Sequence, residues 1–201
     1  MSRTRPHRIV WLLLLGVLFF TPGTAEAHSI GKRVGDFYWG FLHPMTALES
    51  VFPILALGLL AGQQGVANAR GMLVGFCLGL LGGAVLGMAM PDAVFVSWIN
   101  VASFVVLGLL LAIAKRWHTI AVILLALTLG VFQGWGNATE MTAETGKTLF
   151  VSGLILGGYL FIAILAAFAV GLVKRGGWRA ISIRVLGSWI AAIGLMVVAL
   201  K

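Results

Sequence analysis

The fold is decided by residues 71–90, which read G-M-L-V-G-F-C-L-G-L-L-G-G-A-V-L-G-M-A-M. This stretch contains no charged side chain and no proline. An apolar helix of about 20 residues is long enough to cross the hydrocarbon core of a bilayer. Residues 71–90 therefore predict a membrane-spanning α-helix, and similar stretches recur along the chain.

The glycines of this stretch form a stripe along one face of the predicted helix, because they recur every four residues. They are Gly71, Gly75, Gly79, Gly83 and Gly87. Small residues at this spacing let two helix backbones approach closely within a membrane. The stripe indicates either a tight helix–helix interface or a face along which helices slide, and tight packing is the simpler interpretation.

The composition of the whole chain agrees with a membrane protein. Of its 201 residues, 60% are hydrophobic and only 10% are charged, with a mean hydropathy of +1.05. A soluble domain averages about a quarter charged residues, and disordered chains are poor in apolar residues. A single cysteine excludes a disulfide scaffold. We therefore predict an all-α integral membrane protein whose main partner is the lipid bilayer.

The net charge of +8 does not indicate a nucleic-acid partner, because the basic residues are scattered and form no basic domain. At the N-terminus, an arginine-rich start and an apolar stretch over residues 9–20 precede the cleavage pattern Ala25-Glu26-Ala27. These are the parts of a secretory signal peptide. We predict a signal peptide over residues 1–27 and a single transmembrane domain over residues 28–201; an uncleaved first helix is the alternative.

The mature chain contains enough apolar stretches for six membrane spans. They lie at residues 42–61, 71–90, 93–114, 119–135, 149–173 and 180–200. With the mature N-terminus outside, the loops predicted to face the cytoplasm are rich in lysine and arginine. These bases are Arg70, Lys115, Arg116, Lys174, Arg175 and Arg179. This bias follows the positive-inside rule and predicts a bacterial inner-membrane protein with a periplasmic mature N-terminus.

The first predicted span carries an acid beside a proline. Pro53 has no N–H to donate to the carbonyl of Glu49, which lies four residues earlier. A kink here would leave a free carbonyl beside a carboxylate. Acidic residues inside membrane spans usually have a functional role, because burying them in the bilayer is costly. We interpret Glu49 as part of a cation site; a buried acid held by other helices is the alternative. Pro44 suits the first turn of this span, which would place His43 at its start as a ligand or a cap.

A second polar group ends the fourth span. Gln133, Asn137 and Glu140 share one helical face, and the predicted topology puts them at the same side of the membrane as Glu49. The two groups together predict one site, although ordinary caps of a solvated helix end are the alternative. The predicted metal ligands are His43, Glu49 and Glu140, and the predicted substrate-binding residues are Thr46, Ser50, Gln133 and Asn137.

Other polar features are interpreted more simply. Asn100, in the middle of the third predicted span, indicates an interhelical hydrogen bond. The chain has no phosphate-binding glycine loop, paired-cysteine zinc motif or G-x-S-x-G elbow. We therefore expect no enzymatic activity and no bound cofactor, because no activated nucleophile can be named.

These motifs resemble the HupE/UreJ family of hydrogenase and urease accessory membrane proteins. The first signature is similar around His43-Pro44, with Glu49 at an aspartate position and Ser50 at a histidine position. The second is similar around Phe132, Gly134 and Glu140, with amides at its two histidine positions. Those two amides are Gln133 and Asn137.

The resemblance implies a cleaved signal peptide, six spans and a secondary permease for a divalent transition metal. Nickel or cobalt would be the transported ion, and membrane or nickel-enzyme maturation proteins would be the partners. The family's histidine motifs are thought to bind the metal, and nickel favours imidazole ligands. Oxygen and amide ligands at these positions suit harder ions.

Two other functions remain open at this point. The chain could be a non-transporting accessory or assembly protein that keeps the same scaffold and acts through partners. It could also be a proton-coupled transporter of another substrate, in which Glu49 carries the proton. Loss of uptake in a Glu49→Gln variant would favour transport over the accessory role.

Overall fold

The computed structural model describes residues 35–46, 48–90 and 94–200, and within them all regular secondary structure is helical. The helices are α1 (Asp36–Thr46), α2 (Leu48–Gln64), α3 (Val66–Ala89), α4 (Val94–Ile113), α5 (Thr119–Thr139), α6 (Lys147–Arg175) and α7 (Trp178–Leu200). The predicted signal peptide over residues 1–27 lies outside the described residues. Over the described residues, the prediction of an all-helical protein is confirmed.

Five of these helices, α3 to α7, are long and apolar enough to cross a membrane. They coincide with the second to sixth predicted spans, and their ends differ from the predicted ends by several residues at most. The pair α1 and α2 passes the same test together, with a bend of 78° between the two helices. The described chain thus has five candidate spans, or six when this broken pair is counted as one.

The start of the first span differs from the prediction. Pro44 was expected in a first helical turn, but it lies near the end of α1, and His43 precedes it there. The helix begins earlier than predicted, and Asp36 lies in its first turn. A carboxylate there stabilises the helix by interacting favourably with the positive end of the helix dipole. The Asp36 carboxylate also accepts a hydrogen bond from the backbone N–H of Gly146, at 2.8 Å, which ties α1 to the start of α6.

Helix α2 occupies the centre of the bundle. It contacts α1, α3, α4, α6 and α7, and its side chains Ala56, Leu57 and Leu60 are essentially inaccessible to solvent. The remaining large contacts pair α3 with α5, α4 with α7, and α1 with α6. Because α2 is surrounded by protein, a polar residue on its buried faces meets other helices rather than lipid.

The glycine stripe of α3 packs directly against α5. A Cβ atom added at Gly79 would collide with the backbone of Leu127 and Gly130, and one at Gly83 would collide with the carbonyl of Val131. Helix α5 contributes Gly134 to the same contact, and a Cβ atom added there would collide with the carbonyl of Leu80. The stripe therefore forms a close-packed backbone interface, as the tight-packing interpretation predicts.

Two glutamines at the C-terminal end of α2 hold the connection between α4 and α5. The Gln64 amide donates to the carbonyl of Lys115 at 2.9 Å and accepts from the backbone N–H of Trp117 at 2.9 Å. The Gln63 amide donates to the carbonyl of Leu111, at 3.1 Å, in the last turn of α4. These bonds satisfy one carbonyl in the last turn of α4 and two backbone groups in the connection that follows it.

Candidate functional site

The carbonyl that Pro53 cannot satisfy is bound by a side chain from α5. Gln133 Nε2 donates to the main-chain oxygen of Glu49, with a donor–acceptor distance of 3.1 Å. Gln133 is only 1% exposed, so the donor of this bond lies inside the protein. The sequence predicted a carbonyl without an intrahelical donor; the structure shows that the amide of Gln133 takes the place of that donor.

The same amide group also reaches α4. Gln133 Nε2 lies 3.4 Å from Asn100 Oδ1, and Asn100 Nδ2 donates to the carbonyl of Phe132 at 3.3 Å. Asn100 therefore makes the interhelical hydrogen bonds expected from its position in a membrane span. The sequence treated it as separate from the candidate site, whereas the structure places it beside Gln133.

One turn further along α5, Asn137 makes a second link to α2. Its Nδ2 donates to the carbonyl of Gln133 at 2.6 Å and to Ser50 Oγ at 3.4 Å. Asn137 is 4% exposed and Ser50 is 6% exposed. Three predicted substrate-binding residues, Ser50, Gln133 and Asn137, are thus brought together between α2 and α5.

The Glu49 carboxylate is oriented by α4. Its Oε2 accepts a hydrogen bond from the hydroxyl of Ser97 at 2.9 Å, and the side chain is half-buried. Sequence reasoning did not identify Ser97. The signal that could have found it is spacing, because Ser97 lies three residues before Asn100 and shares a helical face with it.

We call these six residues the polar cluster: Glu49, Ser50, Ser97, Asn100, Gln133 and Asn137. One oxygen of the cluster is unused, because Gln133 Oε1 is buried and accepts no hydrogen bond in the described structure. Buried amide oxygens are usually paired, so such an exception needs an explanation. The polar cluster therefore contains an acceptor that is available to a donor or a cation.

His43 and Thr46 occupy different surroundings. His43 is 7% exposed and packs against the rings of Trp39 and Phe150, with centroid distances of 5.6 Å and 5.7 Å. The Thr46 hydroxyl donates to the carbonyl of His43 at 2.9 Å, within α1. The structure thus places His43 between aromatic rings at the α1–α6 contact and not at a helix start.

Glu140 lies beyond the cluster at the end of α5, where it is the exposed C-cap residue. Within the described ranges, no three histidine, cysteine, aspartate or glutamate side chains are close enough together to hold a metal ion. The three predicted metal ligands, His43, Glu49 and Glu140, therefore do not form a three-residue metal site in this structure. The residues that α5 turns into the bundle at this level are amides, not acids.

A family model described as HupE / UreJ protein matches residues 15–197. The chain belongs to the HupE/UreJ family. No curated protein and no solved structure matches it. Membership places this HupE/UreJ protein among membrane proteins with accessory or transport-related roles linked to nickel and cobalt. All three residues at histidine positions of the signatures, Ser50, Gln133 and Asn137, lie in the polar cluster and are joined by hydrogen bonds.

Proposed function

We propose that this HupE/UreJ protein is a secondary permease for a divalent cation such as nickel or cobalt. The observation that carries the proposal is the bond from Gln133 to the Glu49 carbonyl, at the break in the first span. Secondary transporters bind substrates and ions where a spanning helix is discontinuous and its backbone carbonyls are freed. The polar cluster lies beside such a break, where the Glu49 carbonyl bonds a side chain of α5 instead of its own helix.

The proposal includes the topology expected from the sequence. In it, α1 and α2 form one broken span, so that six spans follow a cleaved signal peptide. The protein lies in the inner membrane with its mature N-terminus in the periplasm, because the basic loops then face the cytoplasm. The polar cluster would then open towards the periplasm and receive the cation from that side. No enzymatic step and no bound cofactor are needed.

Within this proposal, Glu49 is the residue that attracts the cation. Its carboxylate is half-buried and oriented by Ser97, and a negative charge in a low-dielectric setting attracts a cation strongly. Asn137 and Ser50 add neutral oxygen-bearing groups. Glu140 is exposed at the end of α5, and we assign it to the entrance of the path.

Uptake of radioactive Ni²⁺ and Co²⁺ into proteoliposomes tests the proposal. We expect the Glu49→Gln variant to lose uptake by about tenfold or more, because a neutral amide replaces the only acid of the polar cluster. The matched control is Glu144→Gln, which makes the same change at an exposed residue of the loop after α5. Normal uptake by the Glu49→Gln variant would refute the assignment.

The Glu140→Gln variant separates two arrangements of the site. If Glu140 marks only the entrance, the variant retains uptake within about twofold, as expected for an exposed charge. If Glu140 joins Glu49 as a ligand during transport, the variant loses uptake as severely as Glu49→Gln does. The comparison therefore decides whether the acid at the end of α5 belongs to the cation site.

A non-transporting accessory role is the second candidate. The observation that favours it is that no three potential metal-ligating side chains gather anywhere among residues 35–46, 48–90 and 94–200. In that case the scaffold would act through membrane or nickel-enzyme maturation partners. This role predicts no uptake by the unaltered protein and the co-purification of a partner, and robust uptake by the pure protein would refute it.

A further inference from the structure

We propose that the polar cluster binds a monovalent cation of the sodium type, coordinated by Gln133 Oε1 and Ser50 Oγ and paired with the Glu49 carboxylate. The starting observation is the buried oxygen of Gln133, which accepts no hydrogen bond although its residue is 1% exposed. The site itself does not depend on the transported substrate. A role of this ion in driving the uptake of the divalent cation rests on the proposed permease function.

The hydrogen bonds determine which end of the Gln133 amide is unused. Its Nε2 faces the Glu49 carbonyl and Asn100 Oδ1, and both of these atoms can only accept. A flipped amide would place an oxygen against two oxygens. Asn100 is oriented in turn, because its Nδ2 faces the carbonyl of Phe132. The unused atom is therefore an oxygen, and its partner must be a cation or a hydrogen-bond donor.

The amide group of Asn137 leaves the side-chain oxygen of Gln133 without a donor as well. Both of its hydrogens point to oxygens, namely the carbonyl of Gln133 and the hydroxyl of Ser50. Ser50 Oγ keeps a second lone pair, since a hydroxyl oxygen can accept twice. Carboxylate, amide and hydroxyl oxygens are hard ligands, which favour alkali and alkaline-earth cations over soft metals.

The charge of the polar cluster favours a monovalent ion as the one that stays bound. Glu49 is its only ionisable member, so the cluster can carry a single negative charge. A monovalent cation can stay bound beside one acid, whereas a divalent cation is held there less firmly because its second charge lies in a medium of low dielectric constant. Weak binding of that kind suits an ion in transit.

The opposite end of α2 provides a natural comparison. Gln63 Oε1 is also buried and accepts no hydrogen bond, and its Nε2 donates to the carbonyl of Leu111. However, the neighbouring stretches, residues 63–70 and 111–118, contain Arg70, Lys115 and Arg116 and no acid. An unused amide oxygen in basic surroundings does not attract a cation. Gln63 therefore supplies a matched control for Gln133.

Binding of ²²Na⁺ to the purified full-length protein in detergent tests the proposal, with choline to keep the ionic strength constant. Gln133→Leu alone would also leave the Glu49 carbonyl without a donor, which could impair folding. We therefore use the double variant Pro53→Ala, Gln133→Leu, in which the new N–H at position 53 can bind that carbonyl. Pro53→Ala alone and Gln63→Leu are the controls.

We expect the double variant to bind Na⁺ about tenfold more weakly or worse, and both controls to bind it as the unaltered protein does. No Na⁺ binding by the unaltered protein would overturn the proposal. Equal binding by the double variant and by Pro53→Ala would also overturn it, because the Gln133 oxygen would then have no role.

Uptake in proteoliposomes separates this inference from the permease proposal. Na⁺ binding without any Ni²⁺ or Co²⁺ uptake would refute the permease and leave the ion site intact. Divalent-cation uptake that a pH gradient drives, with no Na⁺ binding, would refute the ion site and leave the permease intact. Acceleration of uptake by an inward Na⁺ gradient would support both.

Discussion

Helix α5 presents two contrasting faces to its neighbours. Towards α3 it offers Gly130 and Gly134, whose missing side chains let the two backbones touch. Towards α2 it offers Gln133 and Asn137, which reach the neighbouring helix through hydrogen bonds. One face has no room for an additional atom, and the other is held by a few directional polar contacts.

The contrast shows how one bundle can combine a rigid interface with an adjustable one. Overpacking a close interface forces backbones apart and costs about 1–3 kcal/mol or more. Losing one interhelical hydrogen bond in a membrane costs about 0.6 kcal/mol on average and at most about 1.7 kcal/mol. The polar face can therefore change its hydrogen-bond partners at a lower cost in free energy than the glycine face can change its packing.

The largest expected effect comes from filling the glycine face. In a Gly83→Leu variant, the new Cβ would collide with the carbonyl of Val131, which is backbone and cannot turn away. We expect a loss of stability of about 3 kcal/mol or more and little monodisperse protein. Thermal unfolding in detergent measures this.

The neighbouring residue provides the control for this variant. An added Cβ at Gly82 meets nothing within 4 Å, so a Gly82→Leu variant should unfold at nearly the same temperature as the unaltered protein. Equal stability of the Gly82→Leu and Gly83→Leu variants would contradict the idea that the α3–α5 interface is rigid.

A smaller effect is expected on the polar face. The Gln133→Leu variant leaves the partly buried Glu49 carbonyl without its donor, which should lower the free energy of unfolding by about 1–2 kcal/mol. In a Pro53→Ala background, the restored backbone N–H should reduce this loss towards zero. A double-mutant cycle by denaturant titration measures the coupling. The same loss in both backgrounds would show that Gln133 does not substitute for the donor that proline lacks.

The smallest effect is expected at Asn137. Its contact with Ser50 is long, at 3.4 Å, and its shorter bond goes to a carbonyl of its own helix. The Asn137→Ala variant should lose only about 0.5 kcal/mol of stability, measured in the same titration. A loss larger than that of Gln133→Leu would mean that Asn137, and not Gln133, holds the polar face together.

Much of the fold could be predicted because membrane spans are governed by local composition. Helices α3 to α7 lie where the uninterrupted apolar stretches are, since a bilayer accepts only segments that satisfy their own backbone hydrogen bonds. The glycine stripe was likewise visible, because spacing along the chain fixes which residues share a face. The missing donor at Pro53 follows from covalent chemistry alone.

The site could be predicted only in part. The sequence named Glu49, Ser50, Gln133 and Asn137, and the hydrogen bonds now join them. It could not assign Ser97 to the Glu49 carboxylate, because a short hydroxyl at a span end has many ordinary roles. The prediction that His43 starts a helix was wrong. The actual surroundings of His43 could not be predicted, because it packs against Phe150, which is far away in the chain.

The amino-acid sequence by itself determined that this HupE/UreJ protein is helical, where most of its spans run, and which carbonyl Pro53 leaves without a donor. Those properties depend on local hydrophobicity and on the chemistry of single residues. Only the tertiary structure decided that α3 meets α5, that Gln133 supplies the missing donor, and that an amide oxygen is left unused. A periodic pattern specifies the face that a helix presents, but the partner depends on how all the helices pack together.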